Sequence, residues 1–492
     1  MDKLIELSDA EVSGLTSSKL WNKDLSPTKL IQRHWGVRDI SALWIGMSVC
    51  IPTYMLASSL ISGGMNWLQS ILTIFLGNAI VLIPMVLNAH AGTKYGIPFP
   101  VFARVSFGIK GANIPAVLRA IVACGWFGIQ TWIGGWAIYK LLGVYFTHWE
   151  KIPVLSAWLG INLPQLLCFL LFWFVNVYII YRGIETIRCV ENFSAPLLLL
   201  VGIALLVWVW VKVGSLGPIF SQPSQFVAGG PKEGQFWIFF FPALTGMVGY
   251  WATLSLNIPD FTRYAKSQKA QVLGQVLGLN TTMPFYAFIG VAVTSATLLI
   301  FGETIWDPVV LLSKFENPAV NIISQIALLL ATLTTNLAAN VVAPANSFSN
   351  ISPGKISFRT GGLITGIIGI IIMPWKLVTD PMGYIFTWLI GYSALLGPIG
   401  GVLICDYFVI RKKELNLPDL YLEKGSYSYS SGYNIKALAA LVLGILPNIP
   451  GFLGTIGVVR VGLFWMNLYN YAWFVGFFIA FAVYLLLIKF KK

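Results

Sequence analysis

GMSVCIPTY, residues 46–54, sets a proline in the middle of an apolar run (39–63) long enough to cross a bilayer. Proline has no amide hydrogen and its ring crowds the preceding turn, so Pro52 predicts a kinked or broken span. The same punctuation recurs in FPALTGMVGYW, residues 241–251, where Pro242, Gly246 and Gly249 interrupt the run 236–258. Hydrophobic runs of span length number twelve: 39–63, 67–88, 115–143, 162–182, 190–213, 236–258, 276–301, 319–342, 360–377, 383–409, 435–455 and 463–488. The interrupted runs are the first and the sixth. A pair of Gly/Pro-broken spans at matching places in two halves points to a transporter site at the membrane midplane.

This spacing divides the chain. Residues 1–38 are a polar tail, 39–213 a first five-span repeat, and 236–409 a second. An odd number of spans per repeat inverts the second unit relative to the first. Residues 410–434 form a loop, and 435–492 carry spans eleven and twelve with a short end.

Composition agrees. Of 492 residues, 57% are hydrophobic and 10% charged, against about 25% charged in soluble domains, so an integral membrane protein is expected. The tail lacks a signal-peptide pattern and is expected to be a solvated segment without a domain of its own. The net charge of +13 is lopsided: Lys140, Lys151, Lys212, Lys232, Lys314, Lys376 and Arg460 fall on one side of the membrane, and the other 25 of the 32 Lys and Arg residues on the side of both termini. That is the positive-inside pattern. It predicts a multi-pass protein of the plasma (cytoplasmic) membrane with both termini cytoplasmic, and no nucleic-acid partner. Cys50, Cys124, Cys168, Cys189 and Cys405 lie in or at the edges of spans without a CxxC pair, as small buried residues do. His34, His90 and His148 are scattered away from span centres and assemble neither a metal cluster nor a triad.

Polar residues at mid-span carry the functional signal. In IVACGWFGIQTWIGGW, residues 121–136, Trp126 and Gln130 share one helix face. An unpaired carboxamide is expensive in hydrocarbon. Beside an indole it is either a helix–helix contact or half of a pocket for a flat, polar, uncharged molecule. Trp251, just after the break in span six, offers a second ring or is a packing tryptophan. Thr334, Thr335, Asn336 and Asn340 cluster in TLTTNLAAN of span eight. The asparagines serve as interhelical glue or as ligands. The threonine hydroxyls bond back to the preceding turn or, with carbonyls freed by the span-one break, hold a small cation. No Asp or Glu lies at mid-depth: Glu191, Asp260 and Asp406 sit at cytoplasmic ends. A neutral cargo and a cation held by neutral oxygens follow. In 89–119, Arg104 and Lys110 are expected to meet headgroups or the carbonyl ends of helices. A membrane enzyme would need an acid–base or metal cluster, and a channel rings of charge; neither pattern is visible.

Five ordered motifs carry a resemblance. They are GIPFPVFARVSFGIKGANIPAVLRA (96–120), WFGIQTWIGG (126–135), NIPDFTR (257–263), ATLTTNLAANVVAP (331–344) and DYFVIRKKELNLPDLY (406–421). Together they resemble the nucleobase–cation symporter family of hydantoin, allantoin, uracil and purine permeases, nearest its uracil/allantoin branch. The resemblance implies an all-α fold of twelve helices, five plus five in an inverted repeat of the LeuT-like kind, with helices one and six broken. It implies a secondary active transporter, not an enzyme, importing a neutral planar heterocycle with Na+ or H+; a nucleoside or vitamin-like heterocycle is the alternative. Substrate residues fall on Trp126, Gln130, Trp251 and Asn340, with Cys50 and Tyr250 standing where relatives carry an amide and a glycine. A sodium site falls on the carbonyls of Gly46, Val49 and Ala331 and the hydroxyls of Thr334 and Thr335. A gate residue falls on Leu389. No cofactor beyond Na+ as coupling ion is expected, and the expected state is a monomer.

Overall fold

The computed structural model describes residues 3–143, 145–146, 148–182 and 200–490. Every extended element among them is helical; strand-like pairing is limited to isolated bridges. Among the described residues, eight helices are individually long and apolar enough to cross a membrane, and a bent pair in span one makes a ninth. Shorter apolar helices at Leu200–Val213, Phe236–Tyr250 and Phe358–Ile371 supply spans five, six and nine. The first part of the expected span five, with Cys189 and Glu191, lies outside the described residues.

Span one is broken where its sequence predicts. Val37–Ser48 and Ile51–Ser62 meet at 59° across Val49 and Cys50. Cys50 is fully extended (φ −149°, ψ 159°) and caps the second half-helix, whose second residue is Pro52. There the missing amide costs nothing, because first-turn amides have no helical partner anyway. Span six differs from expectation. The helix Phe236–Tyr250 runs straight through Pro242, and the interruption falls at Trp251, before Ala252–Asn257. Proline is tolerated inside membrane helices when neighbours satisfy the freed backbone. Below Pro242 the helix instead presents Gly246 and Gly249 to span ten. A Cβ on Gly249 would stand 2.7 Å from the Leu389 carbonyl oxygen, so glycine is what lets the two backbones touch.

The N-terminal tail is not the solvated segment expected. Leu7, Leu15 and Leu25 are buried. Trp35 pairs with the chain after span six, its amide donating to Tyr264 O at 2.9 Å and its carbonyl accepting from Lys266 at 2.9 Å. Arg33 donates to the carbonyls of Ile5, Thr28, Thr93 and Lys94. Tyr421 Oη, from the 410–434 loop, donates to Leu25 O at 2.8 Å. Sparse leucines in a polar stretch give no helical or strand period, which is why the docking is invisible to pattern analysis. Residues 99–107 form a fully buried helix in which Arg104 donates to Leu420 O and Asn350 Oδ1, each at 2.7 Å. Of the two roles expected for Arg104, helix and loop carbonyls are the one observed; Lys110 is exposed.

Candidate functional site

The breaks in spans one and six meet spans three and eight around one cavity. Its wall carries Met47 and Cys50 from span one, Trp126 and Gln130 from span three, Tyr250 and Trp251 from span six, and Thr335 and Asn340 from span eight. All six residues expected to meet a substrate are therefore brought together. Arg119, Ala123, Thr253, Leu254 and Ala339 complete the lining.

Aromatic rings set the shape. Tyr250 stands edge-on to Trp126 (centroids 5.3 Å, 78°) and to Trp251 (4.9 Å, 89°), so one phenol spans the gap between the two indoles. Edge-to-face contact is the arrangement aromatic quadrupoles favour. Its hydroxyl is engaged by neighbouring side chains. It lies 3.0 Å from Thr53 Oγ1 and 3.4 Å from Cys50 Sγ, and Cys50 Sγ is 3.3 Å from Thr53 Oγ1. This three-membered cluster ties the second half of span one to span six. Tyr384, Trp388 and Tyr392 of span ten pack around the other edges of Trp126. Trp251 is held by Trp44 edge-on and by its Nε1–H, 2.9 Å from Met283 Sδ in span seven. Thr53, Met283 and the span-ten aromatics were not found by sequence reasoning. They lie in different spans from the residues they position, with no shared motif to connect them.

The two amides have different surroundings. Gln130 is 4% exposed, and its Oε1 has no donor among the described residues. Asn340 Nδ2 donates to Asn336 Oδ1 at 3.0 Å. Asn336 Nδ2 in turn faces Phe127 O, Thr131 Oγ1 and Asn176 Oδ1 at 3.1–3.3 Å, so Asn336 joins spans three, four and eight. Of the two asparagines, Asn336 is interhelical glue and Asn340 faces the cavity.

The oxygens expected to hold a cation are partly free. The Cys50 amide bonds to Ser48 O and the Thr53 amide to Cys50 O, which releases the Gly46 and Val49 carbonyls from the helical ladder. The space a Cβ would fill beside Gly46 is open. Thr334 and Thr335 both donate to Ala331 O, at 2.9 and 3.0 Å. That leaves hydroxyl lone pairs open and engages the Ala331 carbonyl twice. The set is all oxygen and uncharged, chemistry that fits a hard monovalent cation at a broken helix. No group of three His, Cys, Asp or Glu able to hold a metal occurs among the described residues. Leu389 is fully buried between the π-helical turn Gly383–Leu389 and the helix Ile390–Ile404, packed on Gly246 and Gly249 behind the cavity wall.

Near the start of span three, Arg119 Nη2 donates to Asn257 Oδ1 at 2.8 Å. Asn257 Nδ2 is 3.4 Å from Asp260 Oδ2, and Asp260 Oδ1 accepts the Phe99 amide at 2.8 Å. Burial raises the Asp260 carboxyl above its ordinary range, opposed by the Phe99 bond and by the Arg119 and Arg263 charges.

Comparison with known proteins agrees with this architecture. Residues 28–476 match the family described as permease for cytosine/purines, uracil, thiamine, allantoin. The chain is 47% identical over 468 residues to the purine-uracil permease NCS1 of Arabidopsis thaliana, covering 94% of this chain and 77% of that one. It is 42% identical over 474 residues to the allantoin permease of Bacillus subtilis (strain 168), covering 96% and 94%. Among solved structures, Mhp1, a nucleobase-cation-symport-1 family transporter in a closed conformation with bromovinylhydantoin bound, superposes with a TM-score of 0.75 at 26% identity, covering 96% of this chain and 95% of that one. The fold is thus the twelve-helix, five-plus-five inverted repeat, with its cavity at the broken helices. The chain belongs to the family of permeases for cytosine/purines, uracil, thiamine and allantoin, and is a membrane transporter, not an enzyme.

Proposed function

We propose that this protein imports a neutral planar nitrogen heterocycle, such as uracil, allantoin or a related nucleobase or hydantoin, by alternating access coupled to Na+ or H+. The observation that carries this reading is Gln130: a buried carboxamide oxygen without a donor, on the wall of a cavity shared with Trp126, Trp251 and Asn340. An uncompensated amide in a membrane interior is costly, and a ring N–H would satisfy it. Trp126 and Trp251 stack on the two faces of the guest, Gln130 and Asn340 bond its N–H and C=O groups, and Tyr250 with Cys50 closes the side. Two stacks at about 1–3 kcal/mol each and two or three hydrogen bonds at about 1 kcal/mol each give roughly 4–9 kcal/mol. That corresponds to dissociation constants from about millimolar to sub-micromolar, tight enough to load and loose enough to release.

In the proposed cycle, the guest favours occlusion by bridging the span-one break to spans three, six and eight. Gly46 and Val49 carbonyls with Thr334 and Thr335 hydroxyls would hold Na+, with Ala331 joining once its two threonine bonds turn away. Ion and guest then stabilise one another reciprocally. Leu389 gates access as span ten moves over Gly249. The two five-span repeats are 39–213 and 236–409, in a monomer of the plasma membrane with both termini cytoplasmic. A thermal-shift panel of uracil, allantoin, hydantoin and purines on purified protein tests the reading. Trp126→Ala and Asn340→Ala are expected to abolish the ligand-induced shift while the apo protein melts normally. Undiminished shifts in both variants would overturn the assignment.

A further inference from the structure

Arg119 lies on the same helix face as the ring-binding residues. Arg119, Ala123, Trp126 and Gln130 follow one another at i, i+4, i+7 and i+11, and all four line the cavity. The side chain is 1% exposed. Nη2 is committed to Asn257, whereas Nε and Nη1 have no acceptor among the described residues. The nearby Asp260 carboxylate is linked to Arg119 through Asn257 rather than by a direct ion pair, accepting from the Phe99 amide and from Asn257. A guanidinium buried in a membrane span with idle N–H groups is expensive and marks a functional position. Asn257 engages one end of the guanidinium and leaves Nε and Nη1 without an acceptor, on a residue that lines the cavity.

A guanidinium only donates, in a planar fork suited to carbonyl and imidate oxygens. Trp126 lies seven positions beyond Arg119, an axial rise of about 10 Å, which the long arginine side chain shortens. We infer that Arg119 is a specificity-determining residue that binds an oxygen acceptor carried beyond the first ring of the substrate: a ureido or carboxamide arm, or the dione of a fused second ring. This rests on the ring-binding assignment of Trp126 and Gln130. It selects oxygen-armed heterocycles over the bare ring, and rejects a guest that points an amino group at the same place, since donor would then face donor.

Allantoin and hydantoin test this cleanly, because they share a ring and differ by a ureido arm. Titrating each into purified wild-type protein, the inference predicts that allantoin binds about 10- to 100-fold more tightly, the range of a charged hydrogen bond. In Arg119→Gln, allantoin affinity is expected to fall to that of hydantoin, with hydantoin affinity unchanged. Arg119→Lys keeps the charge but loses the fork, so it is expected to give an intermediate ratio and to serve where the glutamine variant does not fold. Equal wild-type affinities for the two ligands, or a ratio unchanged in either folded variant, would overturn the inference and leave the ring site standing. A folded wild-type protein that binds no heterocycle of the wider panel would instead overturn the ring site itself.

Discussion

Tyr250 shows how much a single side chain decides at this site. A tyrosine where relatives carry a glycine can either narrow the cavity or add a hydroxyl to it. The ring does the first, while the hydroxyl is spent on Thr53 and Cys50. Tyr250→Phe is therefore expected to keep the wall and lose only the tie to span one, at about 1 kcal/mol. Isothermal titration should find affinity for the preferred heterocycle changed by less than about tenfold; complete loss would mean the hydroxyl meets the guest directly. Trp126, Gln130, Trp251 and Asn340 were legible in the sequence because an amide or an indole at mid-span is conspicuous against aliphatic neighbours. Thr53 and Arg119 were not: a threonine at a helix start and an arginine near a span end are ordinary in a membrane protein.

At the scale of the element, Pro52 located the first break correctly, because a proline in the first turn of a helix forces the chain before it out of the helical ladder. Pro242 misplaced the second, because the helix absorbs that proline and yields instead at Trp251. Periodicity also stopped span eight near residue 342, yet helix continues as Val342–Ile351 after a local irregularity at Val341. Small and polar residues in VAPANSFSN depress hydropathy without breaking helix. In the proposed cycle, ion coupling turns on the discontinuity in span one. Thr335 lines the cavity and bonds only to its own preceding turn. Thr335→Ala is therefore expected to erase any enhancement of heterocycle binding by sodium over choline, while sodium-free affinity moves less than about threefold. An enhancement as large in the variant as in the wild type would remove span eight from the ion site.

Across the whole molecule, the twelve-span count was open to composition, whereas the docked tail was not. Arg33 is 4% exposed and gathers backbone carbonyls from the tail itself and from the end of span two. Arg33→Ala leaves those carbonyls without their donor. A loss on the order of 2–4 kcal/mol is expected, seen as a lower melting temperature in detergent with ligand affinity retained; an unchanged melting temperature would show that the tail docks without stabilising. The proposed function places the guest in the cavity at the two breaks. Counterflow in proteoliposomes preloaded with unlabelled allantoin or uracil, reading entry of the same labelled compound, tests it most directly. Wild-type protein is expected to show saturable accelerated exchange for at least one of the two, and Trp126→Ala, reconstituted at equal density, none. Equal exchange through the Trp126→Ala protein would contradict it.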